Sequence, residues 1–264
     1  MTVAPVTLAA LVVATLIVAL LPIGLYRLLR KRAALDRRDA IVGIAAYTLF
    51  ATLLERGLYA LLLGQPAAVA WLSKPVAFAV SGALIAALFE ETGRYLGLRF
   101  AAKRYGPSAG GGRGLGYGLG FGGAQAWFAG VVVLAQWTYL AWLANRGALN
   151  EQLSTMPPDL ALRIQVMLAT MSASSISVSV LERVAAFLFQ VVLSMWMWRG
   201  VQARKRWILP LLIVVHPLID LPPILYGAGT IPFESMVALY LLLAVGFALG
   251  LIKQCRRLAA QAAG

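Results

Sequence analysis

Residues 79–100 read AVSGALIAALFEETGRYLGLRF. The stretch is too long and too uniformly apolar for an amphipathic core helix, so it is read as a helix crossing a bilayer. Glu90, Glu91 and Arg94 stand inside it. Ionised groups at that depth in hydrocarbon cost several kcal/mol, and those that occur face a bundle interior or a wet cavity. Two adjacent carboxylates in such a place are the strongest lead to function.

Similar apolar runs recur along the 264 residues, which are 61% hydrophobic and only 12% charged. The hydrocarbon core admits helices or closed barrels. Barrel strands would be short and alternating, whereas these runs are about 20 residues long, as a spanning helix requires. The fold class expected is an all-α polytopic membrane bundle, one domain over 1–264. Seven spans are expected, near 5–27, 40–63, 75–99, 114–143, 175–198, 207–225 and 235–252. The more polar segment 159–174 reads as an interfacial amphipathic helix or a partial span. The glycine-rich stretch 106–116 reads as a flexible cytoplasmic loop.

The net charge of +13 does not point to nucleic acid. In a membrane chain basic residues mark cytoplasmic loops and meet anionic headgroups. The segments 27–39, 99–113, 199–206 and the tail hold seventeen Lys and Arg; the intervening segments hold three, Lys74, Arg146 and Arg163. The expected topology puts the N-terminus outside and the C-terminus in the cytoplasm, in the plasma membrane of a bacterium. Basic residues follow the first apolar run rather than precede it, so that run is expected to stay as an anchor. The lone Cys255 forms no internal disulfide.

Counting residues inward from the basic ends places Glu90, Glu91, Gln125, Gln190 and His216 at a common depth of roughly 14–16 Å, at ~1.5 Å per residue. Asp220 comes about one turn further outward. Glu90 and Arg94 are spaced to pair along one helix, and His216 and Asp220 share a face. The pairs Glu55–Arg56 and Glu182–Arg183 read as ion pairs that lock the bundle. G-x-G-x-x-G at 118–123 opens a membrane span instead of following a strand, so it is no dinucleotide fingerprint. The G-x-x-x-G spacings 114/118, 116/120 and 118/122 instead make a small-residue face that would let span four approach the Glu90–Glu91 helix. Trp127, Trp137, Trp142, Trp196, Trp198 and Trp207 read as interfacial anchors.

Phe89-Glu90-Glu91-Thr92-Gly93-Arg94-Tyr95, Gly120-Phe121-Gly122-Gly123-Ala124-Gln125, Glu182-Arg183 and His216-Pro217-Leu218-Ile219-Asp220 resemble the YhfC-type intramembrane proteases, within the CAAX-processing and PrsW-like clan of membrane peptidases. The resemblance covers spans three to six. It implies hydrolysis of a peptide bond in or beside the membrane. Glu90 or Glu91 would activate water, with Arg94 holding the second carboxylate. His216, oriented by Asp220, would polarise the carbonyl or bind a metal. The metal implied is zinc, with His216, Glu91 and Asp220 as its candidate ligands. The implied partners are the lipid bilayer and a membrane-embedded or membrane-proximal peptide.

Two positions depart from the pattern. Gln125 stands where the clan has Glu or His, and Gln190 where the family has His. Both amides could donate to an oxyanion, but they are poor zinc ligands. The departures suit a metal-free glutamate hydrolase or a member that keeps the fold without the chemistry. A proton-coupled transporter also uses buried Glu and His, though the internal repeat common in transporters is not visible.

Overall fold

The computed structural model describes residues 2–106 and 112–263. Residues 107–111, the centre of the expected flexible loop, lie outside them. The described residues are helical and contain no strand. Six helices are long and apolar enough to cross a membrane: Pro5–Arg32, Arg37–Leu63, Pro75–Tyr105, Gly112–Asn145, Ala173–Gln202 and Phe233–Arg257. A pair bent by 45°, Ile208–Ile219 with Leu221–Gly227, makes a seventh if it is counted as one span. The polytopic helical bundle expected from the sequence is therefore the fold found.

Two of these spans are interrupted by π-helical turns, at Thr48–Leu54 and Ala126–Val131. The helices, in chain order, are α1 (Pro5–Arg32), α2 (Arg37–Tyr47), α3 (Glu55–Leu63), α4 (Pro66–Leu72), α5 (Pro75–Tyr105), α6 (Gly112–Gln125) and α7 (Val132–Asn145). They continue with α8 (Leu149–Leu153), α9 (Pro158–Thr170), α10 (Ala173–Gln202), α11 (Ile208–Val215), α12 (Leu221–Gly227) and α13 (Phe233–Ala263).

The chain divides into two compact units. The first comprises residues 1–21 and 126–184. Its apolar core joins Leu11, Ala14 and Val18 of α1 to Leu134 and Ala141 of α7, with Leu168 of α9 and Ile176 of α10. Asn145 ties the start of the chain to the end of α7, accepting from the Val3 amide at 2.6 Å and donating to the Val3 carbonyl at 3.0 Å. The segment read as interfacial forms α9, whose 13 residues are too few to span a bilayer. Glu182 and Arg183 do pair, as expected.

The second unit comprises residues 22–125 and 185–264 and holds the buried acidic cluster. Its organiser is α6. Gly114, Gly118 and Gly122 lie against α10: a Cβ added to them would come within 2.7 Å of Trp198, 2.8 Å of Ser194 and 3.0 Å of Gln190. Gly116 and Gly120 face the other way, and a Cβ on Gly120 would run into the Ala40 backbone of α2. On α2, a Cβ on Gly43 would likewise run into the Tyr117 carbonyl. The glycines thus make two faces, not one, and the helices they admit are α2 and α10. Helix α5 is met instead by side chains, with the Tyr117 hydroxyl donating to the Gly93 carbonyl at 3.3 Å.

The basic segments of this unit converge. Arg113, expected in the loop, is buried in the first turn of α6. Its Nε donates to Asp39 Oδ1 of α2 at 2.9 Å and its Nη1 to the Gly106 carbonyl after α5 at 2.8 Å. Its guanidinium lies 5.1 Å from the Trp198 ring near the end of α10. Arg113 thus ties the first turn of α6 to α2, to the end of α5 and to the end of α10.

Replacing Gly120 by Ala should lower the thermal midpoint of the detergent-solubilised protein, with an overpacking cost of about 1–3 kcal/mol. Gly24→Ala, where a new Cβ meets nothing within 4 Å, should leave it unchanged or higher. Asp36 caps α2 by accepting from the Arg38 amide at 2.9 Å, and the Arg38 guanidinium bonded to the same carboxylate holds its pKa below the ordinary value. A lowered pKa means the cap is charged at neutral pH and weakens as pH falls through that value. Asp36→Ala should cost about 1 kcal/mol at pH 7, and that difference should vanish in acid when both proteins are followed by thermal unfolding.

Candidate functional site

The buried cluster is assembled by α5, α10 and the bend between α11 and α12. Glu91 and Arg94 have no solvent exposure, and Glu90 keeps 4%. Arg94 Nε donates to Glu91 Oε2 at 2.9 Å. The intrahelical pair is thus Glu91–Arg94, three residues apart, in place of the expected Glu90–Arg94. The remaining donors of Arg94 reach across to α10. Nη1 bonds the Gln190 carbonyl at 2.9 Å and the Ser194 hydroxyl, and Nη2 bonds Gln190 Oε1. The other end of the same amide, Gln190 Nε2, donates to Glu90 Oε2 at 2.6 Å. The Phe121 ring of α6 covers the guanidinium at 4.3 Å.

His216 completes the cluster from the third direction. Its Nδ1 lies 2.7 Å from Glu91 Oε1, and its Nε2 lies 3.7 Å from Glu90 Oε2. The Phe189 ring packs edge-on against it at 5.6 Å. The i,i+4 register expected for His216 and Asp220 requires regular α-helix. His216–Ile219 is instead a 3-10 turn with Pro217 at its start, and Asp220 stands at the break before α12. Glu91 is placed to orient the imidazole through Nδ1.

Five of the expected residues, Glu90, Glu91 and Arg94 of α5, Gln190 of α10 and His216 of the turn after α11, are therefore in one hydrogen-bonded network. Gln125 is half-buried at the end of α6 and does not enter that network among the described residues. Ser194, Phe121 and Tyr117 were missed. Ser194 lies one turn after Gln190 on the same face, and Phe121 follows from the need of a buried guanidinium for a π face. Glu55 was misread. It makes no close ion pair with Arg56 among the described residues, and it lies within electrostatic reach of Glu90 and His216 as well as of Arg56. It directly follows the π turn Thr48–Leu54, and such turns are frequent at functional sites.

A helical membrane protein with a buried glutamate pair, an arginine and a histidine in contact is the class defined so far. The family model described as YhfC intramembrane metalloprotease matches residues 17–241, and the chain belongs to this family. The chain is 28% identical over 241 residues to a protein of Bacillus subtilis (strain 168) called "Uncharacterized membrane protein YhfC". That match covers 90% of this chain and 92% of the relative. No solved structure matches.

The family's name implies a metal, so the donors must be tested against one. A catalytic zinc takes three protein ligands from nitrogen, sulfur or carboxylate oxygen. Among the described residues no group of three His, Cys, Asp or Glu side chains is placed to hold a metal ion. Glu91 turns its two oxygens to Arg94 and His216, so both are engaged, and a fixed cation beside it opposes a second one. His216, Glu91 and Asp220 do not form the expected ligand set. The residues present do not fit the metal.

Removing one member of a buried ion pair leaves the other charge uncompensated. Arg94→Met and Glu91→Met should each destabilise by about 3–5 kcal/mol. The double variant should be more stable than the sum predicts, which a double-mutant cycle in thermal or denaturant unfolding would measure.

Proposed function

We propose that this integral membrane protein is an intramembrane peptidase that hydrolyses peptide bonds in or beside the bilayer with Glu90 activating water. One observation carries the assignment to Glu90. Both oxygens of Glu91 are engaged, whereas Glu90 Oε1 makes no hydrogen bond among the described residues and Glu90 keeps a trace of exposure. Glu90 takes a proton from water as the oxygen attacks the carbonyl carbon, then delivers it to the leaving nitrogen. His216, when protonated, offers its Nε2–H to the developing oxyanion. The Glu91–Arg94 pair holds the imidazole in place as a positioning unit. With His216 protonated, two anions face two cations, so the cluster neutralises itself. The substrate class is a membrane-embedded or membrane-proximal peptide. The setting proposed is a bacterial plasma membrane, N-terminus outside and C-terminus cytoplasmic, as the basic segments favour.

A second reading has its own support. Gln190 cross-links Arg94 to Glu90, and that arrangement also suits a member that grips membrane segments without cutting them.

The test is cleavage of a labelled transmembrane peptide by the protein reconstituted in liposomes. Wild type should cleave, and Glu90→Gln should lower the rate on the order of 10²–10⁴-fold. Cleavage should survive exhaustive chelation. Full activity in Glu90→Gln would remove the assigned base, and loss on chelation would restore a metal. Binding without cleavage by wild type would establish the second reading.

A further inference from the structure

A polar cavity of ≈ 540 Å³ lies where α5 and α10 end. Its lining includes Arg99 and Lys103 of α5 with Arg204, Lys205 and Arg206 of the α10–α11 connection, and none of its lining residues is acidic. No ion pair among the described residues uses any of these five cations. Among the described residues, the side-chain hydrogen bond they make runs from Arg99 Nη1 to the Tyr95 hydroxyl at 3.2 Å. Five like charges held around one concavity repel one another unless an anion joins them.

The backbone is shaped to keep them there. Helix α10 ends with Lys205 N donating to the Gly200 carbonyl at 2.9 Å. Arg204 then sits in the left-handed region at φ 54°, a position where helices usually place glycine. A side chain there costs conformational energy, and here it adds a cation to the cavity wall.

Exposed apolar side chains neighbour the lining residues along the chain. On α5, Leu96 and Phe100 are 46% and 55% exposed and flank Arg99. Trp207 is also exposed, with the Lys205 ammonium 5.5 Å from its ring. Apolar surface beside a cationic recess matches an amphiphile: tails along α5, headgroup in the recess. Free phosphate would make no use of the apolar flank.

We infer that this recess is a binding site for the phosphate headgroup of an anionic phospholipid. It is separate in its residues from the glutamate cluster. A lipid held there would join the ends of α5 and α10, the two helices that carry Glu90, Glu91, Arg94 and Gln190.

The experiment is native mass spectrometry of the full-length protein in detergent, titrated with phosphatidylglycerol, with phosphatidylcholine of the same acyl chains, and with inorganic phosphate. Phosphatidylglycerol should bind saturably and at least about tenfold tighter than phosphatidylcholine. The triple variant Arg99→Gln/Arg204→Gln/Arg206→Gln should weaken it roughly a hundredfold, about fivefold per charge. Arg30→Gln/Lys31→Gln/Arg32→Gln removes the same charge from the exposed end of α1 and should change affinity by less than about threefold on the same scale. Thermal midpoints check that both variants fold. If the triple variant fails to fold, Lys103→Gln alone should still weaken binding by about fivefold. Equal losses in both triple variants would overturn the site in favour of general surface charge. Equal binding of phosphatidylcholine would remove the role of headgroup charge. Inorganic phosphate binding as tightly as phosphatidylglycerol would replace the lipid with a free anion.

Discussion

A guanidinium with no solvent exposure must find acceptors for its N–H groups inside the protein, and in this chain Arg94 finds them on two helices. A buried cation without them would be among the costliest features a fold can contain. Its acceptors are Glu91 on its own helix and Gln190 and Ser194 on α10, with the Phe121 face of α6 closing the remaining side. Satisfying Arg94 therefore sets the rotation of α5, the register of α10 and the depth of α6 together. The placement of Glu90 and His216 follows, because Glu90 takes the far end of the Gln190 amide and His216 takes the second oxygen of Glu91.

This dependence gives the amide at position 190 a physical reason. An amide presents an acceptor and a donor at one end of the side chain and carries no charge. Gln190 can thus bridge a cation and an anion without adding a third charge to be balanced. The same economy explains why the cluster is poor in metal donors: its carboxylates are spent on Arg94, His216 and Gln190.

Much of this was legible in the sequence because membrane physics leaves few alternatives. Long apolar runs and clustered basic residues suffice for the spans, and depth counting brought Glu90, Glu91, Gln190 and His216 into one layer. Depth alone says nothing of rotation about each helix axis. Hence Gln125, counted into the same layer, is outside the network, while Ser194 was overlooked. Glu91 was preferred to Glu90 by Arg94 because both spacings are sterically open and only the contacts of α10 decide between them. The tighter turn between His216 and Asp220 was not counted on; Pro217, which has no N–H to give to an α-helix, favours it. The division of the glycines into two faces needs the identity of both neighbours, which no spacing within α6 contains.

Those glycines bear on how such a protein changes over evolutionary time. Where α6 meets α2, the separation is set by main chain against main chain, with no rotamers to absorb a change or to transmit one. Against α10, Gly118 and Gly122 fix the seats of Ser194 and Gln190 in the same way. The α2–α6 spacing therefore rests on no side chain of the cluster. A fold whose closest helix approach is a main-chain ruler holds that spacing whichever side chains its chemistry comes to use.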